Sequence, residues 1–211
     1  SMTSERSVRA SFSLINLTVS LSAGTGGTVS GGGSYGYGTS AGITATPDTG
    51  YSFNGWSGTG VTDTSAASTT VSMTSDRTVS ASFSLINHTL SLSAGTGGTV
   101  SGGGSYGYGT SAGITATPDT GYSFNGWSGT GVTDTSAAST TVSMTSDRSV
   151  SASFSLINHT LSLSAGTGGT VNGGGSYGYG TSAGITATPS TGYSFNGWSG
   201  TGVTDTSAAS T

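Results

Sequence analysis

The stretch Gly-Tyr-Ser-Phe-Asn-Gly-Trp occupies residues 50–56 and returns at residues 121–127 and 192–198, so its copies lie 71 residues apart. Its tyrosine and phenylalanine stand two positions apart, which places both rings on one face of a β-strand. A repeat of this length is a domain-sized module rather than one coil of a solenoid. The sequence therefore predicts a linear, elongated array of small domains.

The copies are almost identical. Between residues 17–87 and residues 88–158 the differences are Leu17/His88, Val19/Leu90 and Thr78/Ser149. Between residues 88–140 and residues 159–211 they are Ser101/Asn172 and Asp119/Ser190. Because so little changes from copy to copy, the length and the repetition of the chain are what matter, which favours a structural or adhesive role.

Composition excludes several classes of protein. Only 6% of residues are charged, the net charge is −4, and the four basic residues are all arginine. Nucleic-acid binding needs a basic stripe that neutralises phosphates, and this chain has none. No apolar stretch approaches the roughly 20 residues of a membrane-spanning helix. With no cysteine and therefore no disulfide, we expect packing and strand pairing alone to stabilise the fold.

Apolar residues alternate with serine and threonine in each copy, and glycines and prolines interrupt the alternation. In the second copy this pattern predicts six short strands, at residues 90–93, 99–101, 112–117, 122–124, 141–144 and 149–154. Residues 102–109 are so rich in glycine that we predict a loop there. The fold class is all-β, as a small sandwich, a roll or a β-grasp-like sheet.

Trp127 stands three positions after Phe124, so a regular strand would point the two rings to opposite faces. Two interpretations compete: a β-bulge at Asn125 and Gly126 returns Trp127 to the core, or the Asn-Gly pair forms a hairpin turn. The flanking segments are short for a hairpin, which favours the bulge. We predict that the aromatic residues of the motif fill the core rather than form a sugar-stacking surface. These residues are Tyr51, Phe53, Trp56, Tyr122, Phe124, Trp127, Tyr193, Phe195 and Trp198.

The heptapeptide is preceded by Tyr-Gly-Thr and Ala-Thr-Pro-Asp and followed by Ser-Asp-Arg-Ser-Val-Ser-Ala-Ser-Phe. Together these motifs resemble the divergent internalin B-type B-repeat family, and they cover nearly the whole chain. The resemblance implies a compact β-rich module, found in tandem on bacterial surface or secreted proteins, with no general catalytic residues. The better-known members have a β-grasp fold with a short helix. In this chain the corresponding residues 109–117 alternate like a strand.

The ends of the chain are out of phase with the repeat. We divide it into an orphan closing strand at residues 1–16, repeats at residues 17–87 and 88–158, and a third repeat at residues 159–211 that lacks its last strands. Residues 1–13 match residues 143–155 closely. One interpretation is a window from a longer array. The other is strand donation, in which the N-terminal strand completes a neighbour's third repeat through Val8, Ala10, Phe12 and Leu14.

Three tyrosine pairs lie in the glycine-rich segments, at Tyr35/Tyr37, Tyr106/Tyr108 and Tyr177/Tyr179. Their fixed spacing would suit multivalent contact with a surface glycan. The alternative, which we favour, is that they fold over the adjacent repeat and stiffen the array. The connector at residues 155–158 is short and partly apolar, which also favours a stiff junction.

No arrangement of residues indicates catalysis, and we expect no cofactor. Asp63, Asp134 and Asp205 recur singly in one loop, which is too few oxygens for calcium, and we assign them to turns. The sequence therefore predicts a non-enzymatic, extracellular or cell-surface protein, either an adhesin stalk or a filament-forming subunit. Its partners would be further copies of itself, flanking repeats, or a cell-surface glycan or protein.

Overall fold

The computed structural model describes residues 4–211, and these residues form eighteen β-strands and no helix. The all-β prediction is therefore confirmed. The chain divides into two compact units. The described part of the first unit consists of residues 4–89 together with Ser105–Thr110 and Met144–Asp147. The second contains Leu90–Gly104, Ser111–Ser143 and Arg148–Thr211.

Each complete repeat contains seven strands. In the first repeat they are β1 (Asn16–Ala23), β2 (Gly27–Ser30), β3 (Gly33–Gly36), β4 (Ser40–Pro47), β5 (Tyr51–Gly58), β6 (Ser68–Ser72) and β7 (Arg77–Leu85). In the second repeat they are β8 (Asn87–Ala94), β9 (Gly98–Ser101), β10 (Gly104–Gly107), β11 (Thr110–Pro118), β12 (Tyr122–Gly129), β13 (Ser139–Met144) and β14 (Arg148–Leu156).

The strands of the first repeat form two sheets, in the orders β3-β1-β7-β5 and β2-β4-β6. The last strand in sequence, β7, lies between two others. It pairs parallel to β1, with Val19 opposite Arg77 and Ala23 opposite Ala81, and antiparallel to β5. In the second repeat β14 pairs with β8 and β12 in the same two directions. The closing strand of a repeat is thus a central strand of its larger sheet.

The two sheets of the first repeat share one core. Val19, Trp56 and Val79 contribute from the larger sheet, while Ile43 and Val71 contribute from the smaller one. Each of these five side chains is at most 5% exposed. Two sheets packed face to face without a helix form a small β-sandwich. The stretch that corresponds to a helix in better-known relatives is strand β11 here, as the alternation of its residues predicts.

The bulge interpretation is confirmed, and the loop prediction at residues 102–109 is wrong. The pairing of β12 with β14 shifts between Phe124 and Gly126, so that Trp127 lies opposite Ala152 and is only 5% exposed. The glycine-rich segment contains β10, and its equivalent β3 pairs antiparallel with β1. Backbone hydrogen bonds to a neighbouring strand suffice to hold such an edge strand, although glycine offers no side-chain pattern that would reveal it.

The third repeat has four strands, β15 (Asn158–Leu161), β16 (Gly169–Asn172), β17 (Gly175–Gly178) and β18 (Thr186–Pro189). They form two-stranded sheets, β15 with β17 and β16 with β18. Residues 162–165 and 193–199 are not strands, although their equivalents in the first repeat belong to β1 and β5. Both segments would pair with the closing strand, and residues 159–211 contain no equivalent of it.

Truncation in the shared core tests this packing. Ile43 on β4 is 1% exposed, so Ile43→Ala should lower the free energy of unfolding of the first repeat by about 2–5 kcal/mol. The control is Thr46→Ala, at an exposed position of the same strand, which should change it by less than about 0.5 kcal/mol. Urea denaturation followed by circular dichroism measures both, and equal effects would contradict the assignment of the core.

Candidate functional site

Backbone hydrogen bonds and close side-chain contacts join consecutive repeats at their junction. Strand β7 ends at Leu85 and β8 begins at Asn87, so only Ile86 lies between them. The Ile86 N–H donates to the carbonyl oxygen of Gly50, and its carbonyl accepts from the Tyr108 N–H, both at 2.8 Å. One residue therefore connects the first repeat to the second through both of its backbone polar groups.

Two glycines allow side chains to approach across this junction. The Tyr108 ring lies so close to Gly50 that a Cβ there would stand 2.2 Å from Cδ1 of the ring. Gly50 also has a φ of +83°, which L side chains rarely adopt. In the other direction, a Cβ on Gly107 would stand 2.5 Å from Cδ2 of Leu85. The second repeat thus places a tyrosine ring over a glycine of the first, and the first repeat places a leucine side chain over a glycine of the second.

The junction between the second and third repeats is built in the same way. The Ile157 N–H donates to Gly121, and Ile157 accepts from the Tyr179 N–H, each at 2.8 Å. A Cβ on Gly121 would lie 2.3 Å from Tyr179, and one on Gly178 would lie 2.4 Å from Leu156. The tyrosine contact matches one of the two alternatives predicted from sequence, whereas no sequence pattern marks the glycine and leucine partners.

A polar cluster lies beside the first junction. The Nδ1 atom of His88 is 3.4 Å from Oδ1 of Asp147, which also accepts from the Thr89 N–H at 2.8 Å. The His88 and Tyr108 rings are 6.1 Å apart, as are those of His159 and Tyr179 at the second junction. No three His, Asp or Glu side chains among residues 4–211 lie close enough together to hold a metal ion.

The two tyrosines of each glycine-rich segment have different surroundings. Tyr35 and Tyr177 donate their hydroxyl groups to Gly31 and Gly173 within their own segments, at 2.8 and 2.7 Å, and Tyr106 is half-buried. Tyr108 and Tyr179 cover glycines of the preceding repeat. Tyr37, the equivalent residue of the first repeat, is 57% exposed. Glycan contact by these residues stays a prediction.

The motif tryptophans lie in the cores of the first two repeats. Trp56 and Trp127 are each 5% exposed, and their indole N–H groups donate to Ala66 and Ala137 at 3.0 Å. Their indole faces are therefore unavailable for stacking on a sugar. The phenylalanines pack edge-on against the tryptophans, with ring centroids 5.5–5.6 Å apart in all three repeats.

The remaining core residues of the motif are more exposed. Phe53, Phe124, Phe195, Tyr51, Tyr122 and Trp198 are half-buried. Tyr193 is 57% exposed, which contradicts its assignment to the core. The physical reason is the absence of a covering strand. Tyr51, its equivalent, pairs with Leu85 of β7, and residues 159–211 contain no counterpart of β7.

The side chains of the predicted donor residues are exposed, and strand donation stays a prediction. Val8 is 94%, Phe12 96% and Leu14 72% exposed, and Ala10 is also exposed. Residues 5–15 belong to no strand, while Ser1, Met2 and Thr3 of the predicted closing strand lie outside the described residues.

The recurring aspartates have a structural role in their loops. Oδ1 of Asp63 accepts from the hydroxyl and the N–H of Ser65, at 2.7 and 2.8 Å, and from the N–H of Ala66. The Ser65 hydroxyl is the main cause that holds the pKa of Asp63 below its ordinary value, and the two N–H groups add to it. Asp134 and Asp205 have equivalent partners, and the serine hydroxyl is again the main cause that lowers the pKa of each.

The family model described as the divergent InlB B-repeat domain matches residues 17–87, 88–158 and 159–211. Its boundaries coincide with the repeats set out above. No curated protein and no solved structure matches the chain. In the part of the chain that the structure describes, no helix has the length and apolar character needed to cross a bilayer.

The aspartate loop yields a titration test. Since the folded pKa of Asp134 lies below the unfolded value near 3.8, its contribution to stability is present above that pH and is lost as the pH falls through the folded pKa. Ser136→Ala removes the principal donor, so the pKa of Asp134 should rise towards its ordinary value. NMR titration of the carboxyl carbons measures the change, and Asp63 in the same molecule is the control. An Asp134 pKa that the substitution leaves unchanged would exclude this cause.

Proposed function

The chain belongs to the divergent InlB B-repeat family, and we propose that it is a non-enzymatic stalk that extends from a bacterial cell surface. The family is a repeat domain typical of bacterial surface proteins and not a known enzyme family. In a stalk, each further repeat adds length without new chemistry. The near-identity of residues 17–87 and 88–158 fits that requirement.

The observation that carries the proposal is the one-residue junction. A flexible linker would leave consecutive repeats free to rotate. Ile86 is instead the single residue between β7 and β8, and it forms backbone hydrogen bonds to Gly50 of the first repeat and Tyr108 of the second. Each such hydrogen bond contributes about 1 kcal/mol, and the interlocked Tyr108 and Leu85 side chains add buried apolar area. We infer that each repeat supports the next along the array.

This support matters because the repeats are small. A domain of about 60–70 residues buries only about 60% of the surface of its unfolded chain, and is therefore marginal by itself. No disulfide is available, since the chain has no cysteine. In an array of identical modules, stability is the sum of the intrinsic terms and the nearest-neighbour interfaces. A surface stalk built in this way gains stability as well as reach from its junctions.

The junction tyrosines provide the test. Replacing both Tyr108 and Tyr179 by alanine uncovers Gly50 and Gly121 and should loosen both junctions. Small-angle X-ray scattering of the monomer at low concentration should then show a broader range of inter-repeat distances. The matched control is Tyr37→Ala, an exposed tyrosine in the same local sequence, which should leave the monomer's scattering profile unchanged.

Superimposable profiles for the wild type and the double variant would contradict the proposed stalk. A different outcome would favour the glycan hypothesis: saturable binding to a glycan array that the Tyr106→Ala and Tyr108→Ala variants lose, with inter-repeat distances unaltered. The tyrosine substitutions therefore distinguish the two functions: a stalk loses its fixed inter-repeat distances, whereas a glycan-binding protein loses its affinity for the glycan.

A further inference from the structure

The first and the last strand of a complete repeat lie side by side and run in the same direction. Strand β1 pairs parallel with β7 over five residue pairs, from Val19 opposite Arg77 to Ala23 opposite Ala81. In the second repeat, β8 and β14 have the five equivalent pairs. The strand by which the chain enters a repeat and the strand by which it leaves are therefore joined by one parallel ladder of hydrogen bonds.

The register determines how tension along the chain acts on this ladder. Strand β1 begins at Asn16, three residues before the first pair, and β7 ends at Leu85, four residues after the last pair. Tension therefore pulls β1 towards its N-terminal end and β7 towards its C-terminal end, in opposite directions along the strands. All hydrogen bonds of the ladder are then loaded together in shear, whereas a force that separates two strands from one end breaks their bonds one at a time.

We propose that the pairing of β1 with β7, and of β8 with β14, is a mechanical clamp by which each of these repeats bears tension. The proposal rests on the stalk function set out above, because a stalk anchored to a cell is stretched when whatever it holds is pulled away. It adds a property that stiffness does not supply. A stiff junction limits rotation between repeats, whereas the clamp keeps a repeat folded while the chain is pulled.

Two further hydrogen bonds extend the clamp beyond its five pairs. At one end, Oδ1 of Asp76 accepts from the Thr18 N–H at 2.8 Å. At the other end, the Gly24 N–H donates to the carbonyl oxygen of Ala81 at 2.9 Å. The second repeat has both bonds at its equivalent residues. Because paired strands open from their ends, bonds at these two positions protect the pairs between them.

Side chains on one face of the clamp hold its register. Val19, Val79 and Ala81 project into the core and are at most 3% exposed, whereas the neighbouring Ser20 and Thr78 are exposed. A slip of β1 past β7 by one residue would turn buried side chains to solvent and hydroxyl groups into the core. Sliding of the two strands under load therefore costs burial as well as hydrogen bonds.

Both strands of the clamp also lie inside their sheet. In the order β3-β1-β7-β5, the outer edge of β1 pairs with β3 and the outer edge of β7 pairs with β5. Each strand is therefore held on both sides while the ladder between them is loaded. The second repeat has the same order, β10-β8-β14-β12.

The junction transmits tension from the first clamp directly to the second. Only Ile86 lies between the end of β7 and the start of β8. A single residue spans at most about 3.6 Å. Tension that leaves the first repeat therefore reaches the second clamp without first extending a linker.

The differences between the first two repeats fall on the strands of the clamp. All three differing positions lie on the first or the last strand of a repeat: Leu17/His88, Val19/Leu90 and Thr78/Ser149. The five residue pairs nevertheless occupy equivalent positions in both repeats. The clamp is therefore built from backbone hydrogen bonds that tolerate these side-chain changes.

The direction of pulling tests the clamp. The chain has no cysteine, so two introduced cysteines determine where the handles of optical tweezers attach to the full 211-residue protein. Asn16→Cys with Ser82→Cys loads β1 and β7 in shear. Asn16→Cys with Ser75→Cys is the matched control, because it pulls the adjacent ends of the same two strands apart. All three positions are exposed, so each substitution leaves the core unchanged.

The first repeat should unfold at a several-fold higher force in the shear geometry than in the control geometry. The two proteins share one attachment point and the same folded repeat, so the difference reports only how the ladder is loaded. Equal unfolding forces in the two geometries would overturn the clamp.

Aspartate substitutions in the shear geometry provide a second test. Asp76→Ala removes the bond to Thr18 at the end of the clamp, so the first repeat should unfold about 5-fold faster at a fixed force, the effect of one lost hydrogen bond. The control is Asp63→Ala, which removes three hydrogen bonds from a loop outside the clamp and should leave the rate of unfolding under force unchanged. Equal rates for the two variants would overturn the proposal.

The clamp and the stalk function can fail separately. Replacing Tyr108 and Tyr179 by alanine loosens the junctions but leaves β1 and β7 in place, so the first repeat should resist shear as strongly as in the wild type. If the clamp is wrong, the two pulling geometries give equal forces, and scattering can still show stiff junctions. If the stalk function is wrong, the tyrosine substitutions leave the scattering profile unchanged, and the force in shear still exceeds that of the control geometry.

Discussion

The closing strand of each repeat lies in the middle of a sheet. Strand β7 is the last to be synthesised in its repeat, yet it pairs with β1 on one side and β5 on the other. A repeat therefore lacks half of its larger sheet until its final residues are in place. The third repeat shows the consequence, because its segments equivalent to the end of β1 and to β5 are not strands.

This position of the closing strand also explains the junction. Because β7 leaves the sheet at Leu85 and β8 starts at Asn87, the next repeat begins where the previous core is completed. Ile86 then bonds to Gly50, which directly precedes β5. The strand that completes one repeat thus leads directly into the first strand of the next, and the proposed stalk function depends on this connection.

Much of the fold could be predicted from sequence, because its signals are local. Alternating apolar residues mark the strands, and the three-residue spacing from Phe124 to Trp127 reveals the bulge. Strand β10 was missed because glycines give no side-chain alternation. The central place of β7 was not predictable either, since Val19 pairs with Arg77 across 58 positions and no local pattern records the order of strands in a sheet.

The residues of the candidate site also include some that local sequence reveals and some that it does not. The tyrosine pairs attract notice in a glycine-rich segment, but their partners Gly50 and Gly121 look like ordinary turn glycines. Tyr193 has the same local sequence as Tyr51 and Tyr122, yet it is exposed because its surroundings depend on a distant strand. Local sequence therefore identifies which residues recur, while the topology decides what each of them contacts.

Amide hydrogen exchange by NMR on the monomer at low concentration tests most directly whether the closing strand holds each repeat together. The amides of residues 20–23, which pair with β7, should be strongly protected, and those of the equivalent residues 162–165 should exchange fast. Equal protection of the two segments in a monomeric chain would show that the larger sheet forms without its central strand, and would contradict the account.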